Sequence, residues 1–385
     1  RLYPMFATHN AHTVAAIDVM AGNDRRFEYQ RLHGMGEPLY EAALGDAPSK
    51  GGVSCRIYAP VGAHEDLLPY LVRRLLENGA NTSFVHRLAD ESVAIGDLVA
   101  DPVAKLAGRA SRPNPSIPLP GAIYAPERPN SQGLDLADPL VVMELDAAVA
   151  AAAATPAEAS AIVDGRDRGG AFAEIRSPAD RSAVVGRVAE ADDAAVEAAI
   201  TAACAAWGRW DALGGPARAT VLEAIADRYW ADRHRAFAIL IREAGKTWPD
   251  AVAEIREAID FLRYYAARAR ADFAGPVTLP GPVGESNEIR LSGRGVFACI
   301  SPWNFPLAIF TGQVSAALAA GNAVLAKPAE QTPLIAAWAV RHMLAAGVPA
   351  GAIALLPGDG ARVGAKLVAD DRIAGIAFTG STETA

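Results

Sequence analysis

The residues best placed to do chemistry stand at the ends of apolar runs. Asn304 lies in the turn SPWNFP (residues 301–306), directly after the run VFACI, and Lys327 ends a second run, AVLAK. Both runs are typical of buried strands, and two prolines hold the turn extended. Residues 307–320 predict a buried helix ended by Gly321. Strand, helix and strand form a parallel crossover, which brings both polar ends to the sheet edge where α/β proteins bind ligands.

Two further segments are predicted at the same edge. Gly358, Gly360 and Gly364 follow an apolar strand in LPGDG, which by itself is a weak dinucleotide signal. Another strand ends in FTGS (residues 378–381), and we expect a helix to begin there. A helix N-terminus beside small residues suits a phosphate or the nicotinamide end of a dinucleotide.

A second candidate site lies on a helix in the first hundred residues. Tyr70, Arg73, Arg74 and Glu77 share one face at helical spacing. The other face is apolar and comprises Leu68, Leu71, Val72, Leu75 and Leu76. Periodicity alone favours a solvated charged face. The alternative is a pair of guanidinium groups that binds a carboxylate, because arginine forks engage both oxygens; Tyr58, on the preceding strand, would then point at the same place.

Strand and helix patterns alternate around that helix. Short apolar runs end in ATHN, QRLHGMG and IYAPVG, and helical patterns at residues 12–20 and 67–78 separate them. Polar strand ends with this alternation predict about three βα units of a (β/α)8 barrel. His9, His12 and His33 have no carboxylate at ligand spacing, so we expect no metal site.

Composition and breaks in the pattern suggest two domains joined by a linker. The 385 residues are 51% hydrophobic with a net charge of −8 and three dispersed cysteines, which argues against a nucleic-acid surface or a disulfide framework. We expect residues 1–108 to form the barrel part, 109–163 a Pro/Ala-rich linker and 164–385 a Rossmann-type domain. Within the linker, the alanine run at 147–154 favours a low-complexity spacer over a helix.

The start of the last domain predicts strands and then long helices. Residues 172–191 read as a strand pair, and Asp192 caps a helix that runs to about residue 207. Residues 217–244 and 249–270 predict amphipathic helices, whose charges we expect on solvated faces. The uncharged run 303–326 is long enough to raise a membrane span, but its proline and glutamine favour a buried element of a soluble fold.

The motifs SPWNFP, KPAEQTP, LPGDG and FTGST, in this order and spacing, resemble the cofactor-binding domain of aldehyde dehydrogenases over residues 164–385. The resemblance implies that Asn304 stabilises an oxyanion and that Lys327 and Glu330 hold the adenosine ribose, where a carboxylate favours NAD over NADP. The residues implied to contact NAD are Ile300, Ser301, Pro302, Trp303, Asn304, Lys327, Ala329, Glu330, Gly360, Gly364, Phe378, Thr379, Gly380 and Ser381.

That family also uses a nucleophilic cysteine and a glutamate base, and the resemblance implies that both lie beyond residue 385. Cys299 falls inside an apolar strand, where a buried inert thiol is expected. Cys55 and Cys204 have no neighbouring base or oxyanion context in the sequence. None of the three is therefore predicted to be the nucleophile.

The segments FATHNAHT, QRLHGMGEPLY, CRIYAPVG and YLVRRLLENGANTSFV resemble the C-terminal βα units of proline dehydrogenase, an FAD enzyme on a (β/α)8 barrel, over about residues 2–103. The resemblance implies that Arg73 and Arg74 bind the proline carboxylate and that Leu32, Tyr58 and Tyr70 line the substrate pocket. The residues implied to contact FAD are Thr8, His9, Asn10, Gln30, Glu77, Ser83 and Phe84.

Because it carries both resemblances in this order, the chain resembles the bifunctional proline utilization A family. This resemblance implies that the chain is an internal fragment of such an enzyme. The implied reactions are FAD-dependent oxidation of L-proline to pyrroline-5-carboxylate and NAD-dependent oxidation of glutamate semialdehyde to glutamate. The family implies membrane quinone as electron acceptor, a homo-oligomer, and a cytoplasmic location, with peripheral attachment to the inner membrane as a variant. DNA would bind only through an N-terminal module outside this chain. The alternative is a non-catalytic dinucleotide-binding regulatory or scaffolding protein of the same fold.

Overall fold

The computed structural model describes residues 2–45, 53–79, 84–109, 113–114 and 116–385, without the side chains of residues 77–79 and 85. The chain divides into two compact units, with the division after Ile117. The boundary therefore falls inside the segment that the sequence analysis treats as a linker, and residues 118–163 belong to the second unit.

The first unit is a short parallel sheet with helices after each strand. The elements are β1 (Met5–Ala7), α1 (Ala11–Ala21), β2 (Glu28–Leu32), α2 (Glu37–Leu44), β3 (Ser54–Tyr58), α3 (His64–Gly79), α4 (Phe84–Ala89), α5 (Ile95–Leu98) and α6 (Pro102–Ala107). The strand order is β1-β2-β3, and all pairs are parallel. Val14, Phe27, Tyr29 and Tyr40 form the centre of its small core. The predicted βα units are confirmed, and α2 is an additional helix that the sequence analysis misses.

The second unit begins with a helix where a low-complexity spacer was expected. Its first regular elements are α7 (Pro139–Ala153), β4 (Ala157–Ala159), β5 (Ile162–Val163) and β6 (Arg166–Asp167). The Asp138 side chain caps α7, and Leu145 and Val149 are buried. Arg235 donates to the carbonyl oxygens of Ala152 and Thr155 at 2.5 and 2.6 Å, which fixes the end of α7. The spacer prediction is wrong here because packing against another helix stabilises the alanines.

Three sheets and a helical layer build the described part of the second unit. The remaining elements are β7 (Phe172–Arg176), β8 (Val184–Ala189), α8 (Asp193–Ala212), α9 (Gly215–Ala231), α10 (Arg233–Glu243), α11 (Trp248–Asp272), β9 (Val277–Leu279), β10 (Asn287–Ile289), β11 (Val296–Ile300), α12 (Ala308–Ala319), β12 (Ala323–Lys327), α13 (Pro333–Ala345), β13 (Ile353–Leu355), α14 (Ala365–Ala369) and β14 (Ile373–Phe378). The large sheet has the order β14-β11-β12-β13-β5-β6, in which β14, β11, β12 and β13 are parallel. The predicted crossover from β11 through α12 to β12 is confirmed.

The helical layer differs from the prediction in one break. Residues 217–244 were predicted as one helix, but the chain breaks at Asp232 into α9 and α10. The Asp232 carboxylate accepts from Trp338 Nε1 at 2.7 Å and lies 3.0 Å from His342 Nε2. The break is thus tied to a contact with α13, which helical periodicity cannot reveal.

The uncharged run at 303–326 supplies a turn, α12 and the start of β12. Phe310, Val314 and Leu318 of α12 are completely buried within the second unit. Within the described part of the chain, no helix combines the length and the apolar character needed to cross a bilayer.

Candidate functional site

A cavity of about 940 Å³ opens at the carboxyl ends of β11, β12 and β14. The sequence predicts fourteen residues as NAD contacts, and all fourteen line this cavity. Parallel strands place their carboxyl ends at one edge, so residues as distant in sequence as Ile300 and Ser381 converge here. The structure therefore brings the complete predicted set together in one place.

Asn304 presents a free amide to this cavity. Its turn connects β11 to α12, and its side chain is exposed. Among the described residues, no side chain or backbone group forms a hydrogen bond with the Asn304 amide, which leaves its N–H groups available. Such a donor, aimed at a developing oxyanion, is worth about 10²–10³ in rate.

Lys327 and Glu330 form a polar pair at the end of β12. Lys327 is 4% exposed, and its Nζ lies 3.8 Å from Glu330 Oε1. Burial lowers the pKa of Lys327, although the nearby carboxylates of Glu330, Asp359 and Glu190 oppose that shift. Glu330 Oε1 also accepts the Gly360 N–H at 2.8 Å, which ties the strand end to the glycine-rich segment.

The glycine-rich segment after β13 is a tight turn. Gly358 has φ +153°, and a Cβ there would lie 2.5 Å from Val363 Cγ2, so only glycine fits. The turn then continues as a π-helical turn over Gly360–Gly364, capped by the Asp359 side chain. The predicted glycine loop is thus a backbone surface that lets a ligand approach closely.

Two buried glutamates occupy the helix N-termini that face this edge. Glu254 accepts the Leu307 and Ala308 N–H groups at the start of α12, and Glu243 accepts those of Leu334 and Ile335 at the start of α13. Burial raises the pKa of Glu243 to about 8, although the two N–H donors oppose that shift. A phosphate therefore cannot use either helix end in the manner of a simple Rossmann fold.

The segment after β14 forms a single turn, and the helix expected to begin there stays a prediction. The Thr384 and Ala385 N–H groups donate to the Ser381 carbonyl oxygen at 3.1 and 3.2 Å, which closes a single turn. Gln313 of α12 fixes its approach, because Nε2 donates to the Ile300 carbonyl oxygen and to Thr379 Oγ1 at 3.2 and 3.0 Å.

Ser301 supplies a buried hydroxyl that could bind a ligand. It is 5% exposed and lines the cavity, and its Oγ has no hydrogen-bond partner in the described structure. Buried hydroxyls are normally hydrogen-bonded. The unmet hydroxyl, the buried Lys327 ammonium and the glycine turn together fit a polar ligand with phosphates and sugar hydroxyls, such as a dinucleotide.

The first unit has its own, smaller cavity at the carboxyl ends of β1, β2 and β3. It measures about 360 Å³, and its predicted members are Thr8, His9, Gln30, Leu32, Tyr58 and Arg74. Arg31 also lines it and was not predicted; its position inside a strand gives no signal. Residues implied by the sequence to serve flavin and substrate thus converge at the end of one parallel sheet.

Other predicted members of this set lie elsewhere. Arg73 is exposed and does not line the cavity, so within this chain only one of the two arginines reaches it. Asn10 caps α1, because its side chain accepts the His12 N–H at 2.9 Å. Tyr70 lies beside Arg74, and the Tyr70 ring centroid is 5.2 Å from the guanidinium carbon. Phe84 begins α4 and is half-buried. The Glu77 side chain and Ser83 lie outside the described residues.

His9 is the central polar group of the smaller cavity. Its Nε2 accepts the Leu32 N–H at 3.2 Å, which joins the ends of β1 and β2. Burial, together with the positive charges of Arg31 and Arg74, lowers the pKa of His9. The imidazole is therefore neutral at neutral pH and leaves Arg31 and Arg74 as the positive groups of the cavity.

Helix α3 is oriented against the usual amphipathic rule. The five residues of its predicted apolar face, Leu68, Leu71, Val72, Leu75 and Leu76, are all exposed, whereas Tyr70 and Arg74 are half-buried. The polar face is divided, because Arg74 lines the cavity at the strand ends whereas Arg73 is exposed. The choice between a solvated face and a carboxylate site therefore stays a prediction, and Arg74 is the arginine placed for the second.

Several buried charges were missed by reasoning from the sequence. Charges of the entry helices were expected on solvated faces, but Arg218, Glu243 and Glu254 are 1%, 4% and 1% exposed. The available signal was a carboxylate on the apolar face of a helix, as Glu254 is beside Ile255 and Ala251. Gln313 and Lys246 gave no such signal.

The thiols and potential metal ligands complete the inventory. Cys299 is buried in β11, and burial raises its pKa to about 12, which confirms the expected inert thiol. Cys55 and Cys204 are free and partly buried. Within the described ranges, no three His, Cys, Asp or Glu side chains are grouped so that they could hold a metal ion.

Comparison with known proteins identifies similar chains. Residues 165–385 match the model of the aldehyde dehydrogenase family, and residues 1–87 match that of proline dehydrogenase. The bifunctional protein PutA of Klebsiella aerogenes is 51% identical over 395 residues, which cover 100% of this chain and 29% of that protein. This chain thus spans less than a third of the length of that curated relative.

Two solved structures show the same similarity in three dimensions. A Bradyrhizobium japonicum proline utilization A variant superposes with a TM-score of 0.71 at 46% identity, covering 99% of this chain and 35% of that one. A 1-pyrroline-5-carboxylate dehydrogenase from Thermus, solved with bound NAD, superposes with a TM-score of 0.63 at 33% identity, covering 66% of this chain and 50% of that one.

Proposed function

The chain belongs to the aldehyde dehydrogenase family, and on that basis we propose that its second unit binds NAD in an enzyme that oxidises glutamate semialdehyde to glutamate. The single observation that carries the proposal is the convergence of all fourteen predicted NAD contacts on one cavity of about 940 Å³. The similarity to PutA and to pyrroline-5-carboxylate dehydrogenases supports this choice of aldehyde.

Different cavity residues have different proposed roles in binding and in catalysis. Lys327 and Glu330 would hold the adenosine ribose, and Ser301 with the Gly360–Gly364 turn would contact the rest of the dinucleotide. NAD, when bound, accepts the hydride of the aldehyde carbon. The Asn304 amide would donate a hydrogen bond to the carbonyl oxygen as negative charge develops on it. The cysteine nucleophile and the glutamate base are proposed to lie outside this chain, since the described thiols do not suit that role.

The first unit is proposed to serve the preceding oxidation of L-proline to pyrroline-5-carboxylate. Arg74, with Arg73, would bind the proline carboxylate, because guanidinium groups engage carboxylates through paired hydrogen bonds. Leu32, Tyr58 and Tyr70 would shape the pocket around the ring. Thr8, His9 and Gln30 would contact FAD, with Asn10, Glu77, Ser83 and Phe84 as further proposed contacts. FAD, when bound, accepts the hydride from proline.

The wider setting follows from the proposed function. We propose quinone at the inner membrane as acceptor of the flavin electrons, a homo-oligomeric enzyme, and a cytoplasmic location with peripheral membrane attachment. DNA binding would require a module outside this chain.

The test is Asn304→Ala in the intact protein that carries this sequence. We expect kcat for glutamate semialdehyde to fall about 100-fold or more, because one oxyanion donor is lost, while NAD affinity measured by fluorescence titration stays within about twofold. A loss of NAD affinity with little change in kcat would instead assign Asn304 a structural role in its turn.

A non-catalytic dinucleotide-binding subunit of the same fold is the second candidate, because the fourteen cavity residues could serve dinucleotide binding alone. NAD binding by the intact protein, without turnover of either substrate, would favour that candidate.

A further inference from the structure

Lys246 contacts the Asn304 turn from a position that does not line the cavity. Its ammonium donates to the Asn304 carbonyl oxygen at 2.6 Å. It also lies 4.5 Å from the centroid of the Phe305 ring. These two contacts fix the peptide group and the next side chain at the point where the Asn304 side chain leaves the backbone. The prolines on either side of the turn restrict what remains of its freedom.

A buried carboxylate holds Lys246 in turn. Glu254 of α11 is 1% exposed, and its Oε1 lies 2.9 Å from Lys246 Nζ. Its other oxygen, Oε2, accepts the Leu307 and Ala308 N–H groups at 3.3 and 2.8 Å, where α12 begins. One carboxylate is therefore connected to both sides of the turn, through the ammonium on one side and through the helix start on the other.

Neither side chain lines the cavity, so neither has a direct part in binding a ligand. Their shared effect is on where the turn places its amide. An oxyanion donor must lie about 2.7–3.1 Å from the developing charge, and a misplacement of about 1 Å costs about 100-fold in rate.

We infer that Lys246 and Glu254 are positioning residues that set the Asn304 amide in its catalytic orientation. The inference rests on the proposed function, because it requires Asn304 to be the oxyanion donor. The pair acts through the backbone of Asn304, with Glu254 fixing the ammonium and the ammonium fixing the carbonyl group.

The experiment measures kcat for glutamate semialdehyde, KM for NAD and the urea midpoint in the intact protein. Lys246→Met should lower kcat about 10- to 100-fold and change KM for NAD less than about twofold, because the amide loses its orientation while the ribose contacts remain. Arg270→Met is the control. It removes the cation of the exposed Arg270–Glu223 ion pair, which joins α11 to α9 and does not contact the Asn304 turn, and it should leave kcat unchanged.

A second variant separates orientation from folding. Lys246→Met alone leaves the Glu254 charge buried without its cation, which destabilises the fold. The double variant Lys246→Met/Glu254→Gln removes both charges and should return the urea midpoint towards the parent value. Its kcat should nevertheless stay low, because no ammonium reaches the Asn304 carbonyl oxygen. A double variant with parental kcat would overturn the inference.

A double-mutant comparison distinguishes this inference from the proposed function. Added to Asn304→Ala, Lys246→Met should cause no further loss of kcat, because its effect passes through the missing amide. If Lys246→Met lowers kcat by the same factor in the Asn304→Ala background as in the parent, Lys246 does not act through the Asn304 amide. If Asn304→Ala itself keeps parental kcat, the proposed oxyanion role fails. If Asn304→Ala lowers kcat but both Lys246 variants do not, only the inference fails.

Discussion

The buried carboxyl group of Glu243 should make the second unit lose stability as pH rises. Its pKa is raised from an ordinary value of 4.5 to about 8, chiefly by burial. Below pH 4.5 both the folded and the unfolded chain hold this proton. Between pH 4.5 and 8 only the folded chain holds it, so its contribution to stability falls with rising pH and is lost above pH 8.

The size of the effect follows from that interval. Each pH unit between the two pKa values changes the free energy of unfolding by about 1.4 kcal/mol. The whole interval therefore corresponds to on the order of 5 kcal/mol, a large share of the stability of a typical domain. The two N–H donors of α13 already act against burial in the pKa of about 8, because they stabilise the ionised form.

Glu243→Gln tests this reasoning, because glutamine keeps the shape and cannot titrate. The assay is urea unfolding at pH 5.5, 6.5, 7.5 and 8.5 (about one unit apart). All six tryptophans of this sequence lie in the second unit, so tryptophan fluorescence, excited selectively, reports on that unit and not on the first. We expect the variant to lose most of the fall in stability between pH 5.5 and 8. The exposed Glu223→Gln change should leave the parental slope intact. A Glu243→Gln protein with that same slope would refute the assignment.

The remaining predictions concern binding and local stability. Arg74→Ala should raise KM for proline about 10- to 100-fold in the intact protein, because a carboxylate loses a charged partner, and Arg73→Ala should act in the same direction; steady-state kinetics checks both. Glu330→Gln should reduce the preference for NAD over NADP by about tenfold in kcat/KM, because the repulsion of a 2′-phosphate is removed. The chain as given should reduce no dye with proline and no NAD with semialdehyde, and activity in either assay would contradict the proposed missing parts. Asn10→Ala should destabilise the first unit by about 1 kcal/mol, measured by urea unfolding followed by circular dichroism, because α1 loses its cap.

The sequence predicts the sheet edge well because that information is local. VFACI and AVLAK are long enough, and apolar enough, to be strands regardless of context, and their parallel pairing fixes where Asn304 and Lys327 meet. Side chains that contact this sheet edge from distant parts of the sequence could not be predicted in this way. Lys246 precedes Asn304 by 58 residues and lies in the loop before α11, so it reaches the turn only in the folded packing of α11 against α12.

The failures share a physical cause. At Asp232 the chain breaks although its residues favour a longer helix, because a contact with Trp338 and His342 outweighs propensity. The alanines of α7 were predicted to form a spacer. They stabilise the helix by packing closely against α10, and such packing leaves no periodic pattern in an alanine-rich segment. The exposed apolar face of α3 is the reverse case, where the periodicity is clear but gives no indication of which face points inwards.

That helix has a practical consequence for work with the purified chain. The leucine and valine side chains of its apolar face are 46% to 73% exposed. Contiguous exposed apolar patches of this kind promote self-association in water. We expect light scattering by the isolated polypeptide to grow with concentration. Replacing Leu75 and Leu76, the two most exposed members, with glutamate should reduce this concentration-dependent scattering. Arg74 should still line the cavity at the strand ends.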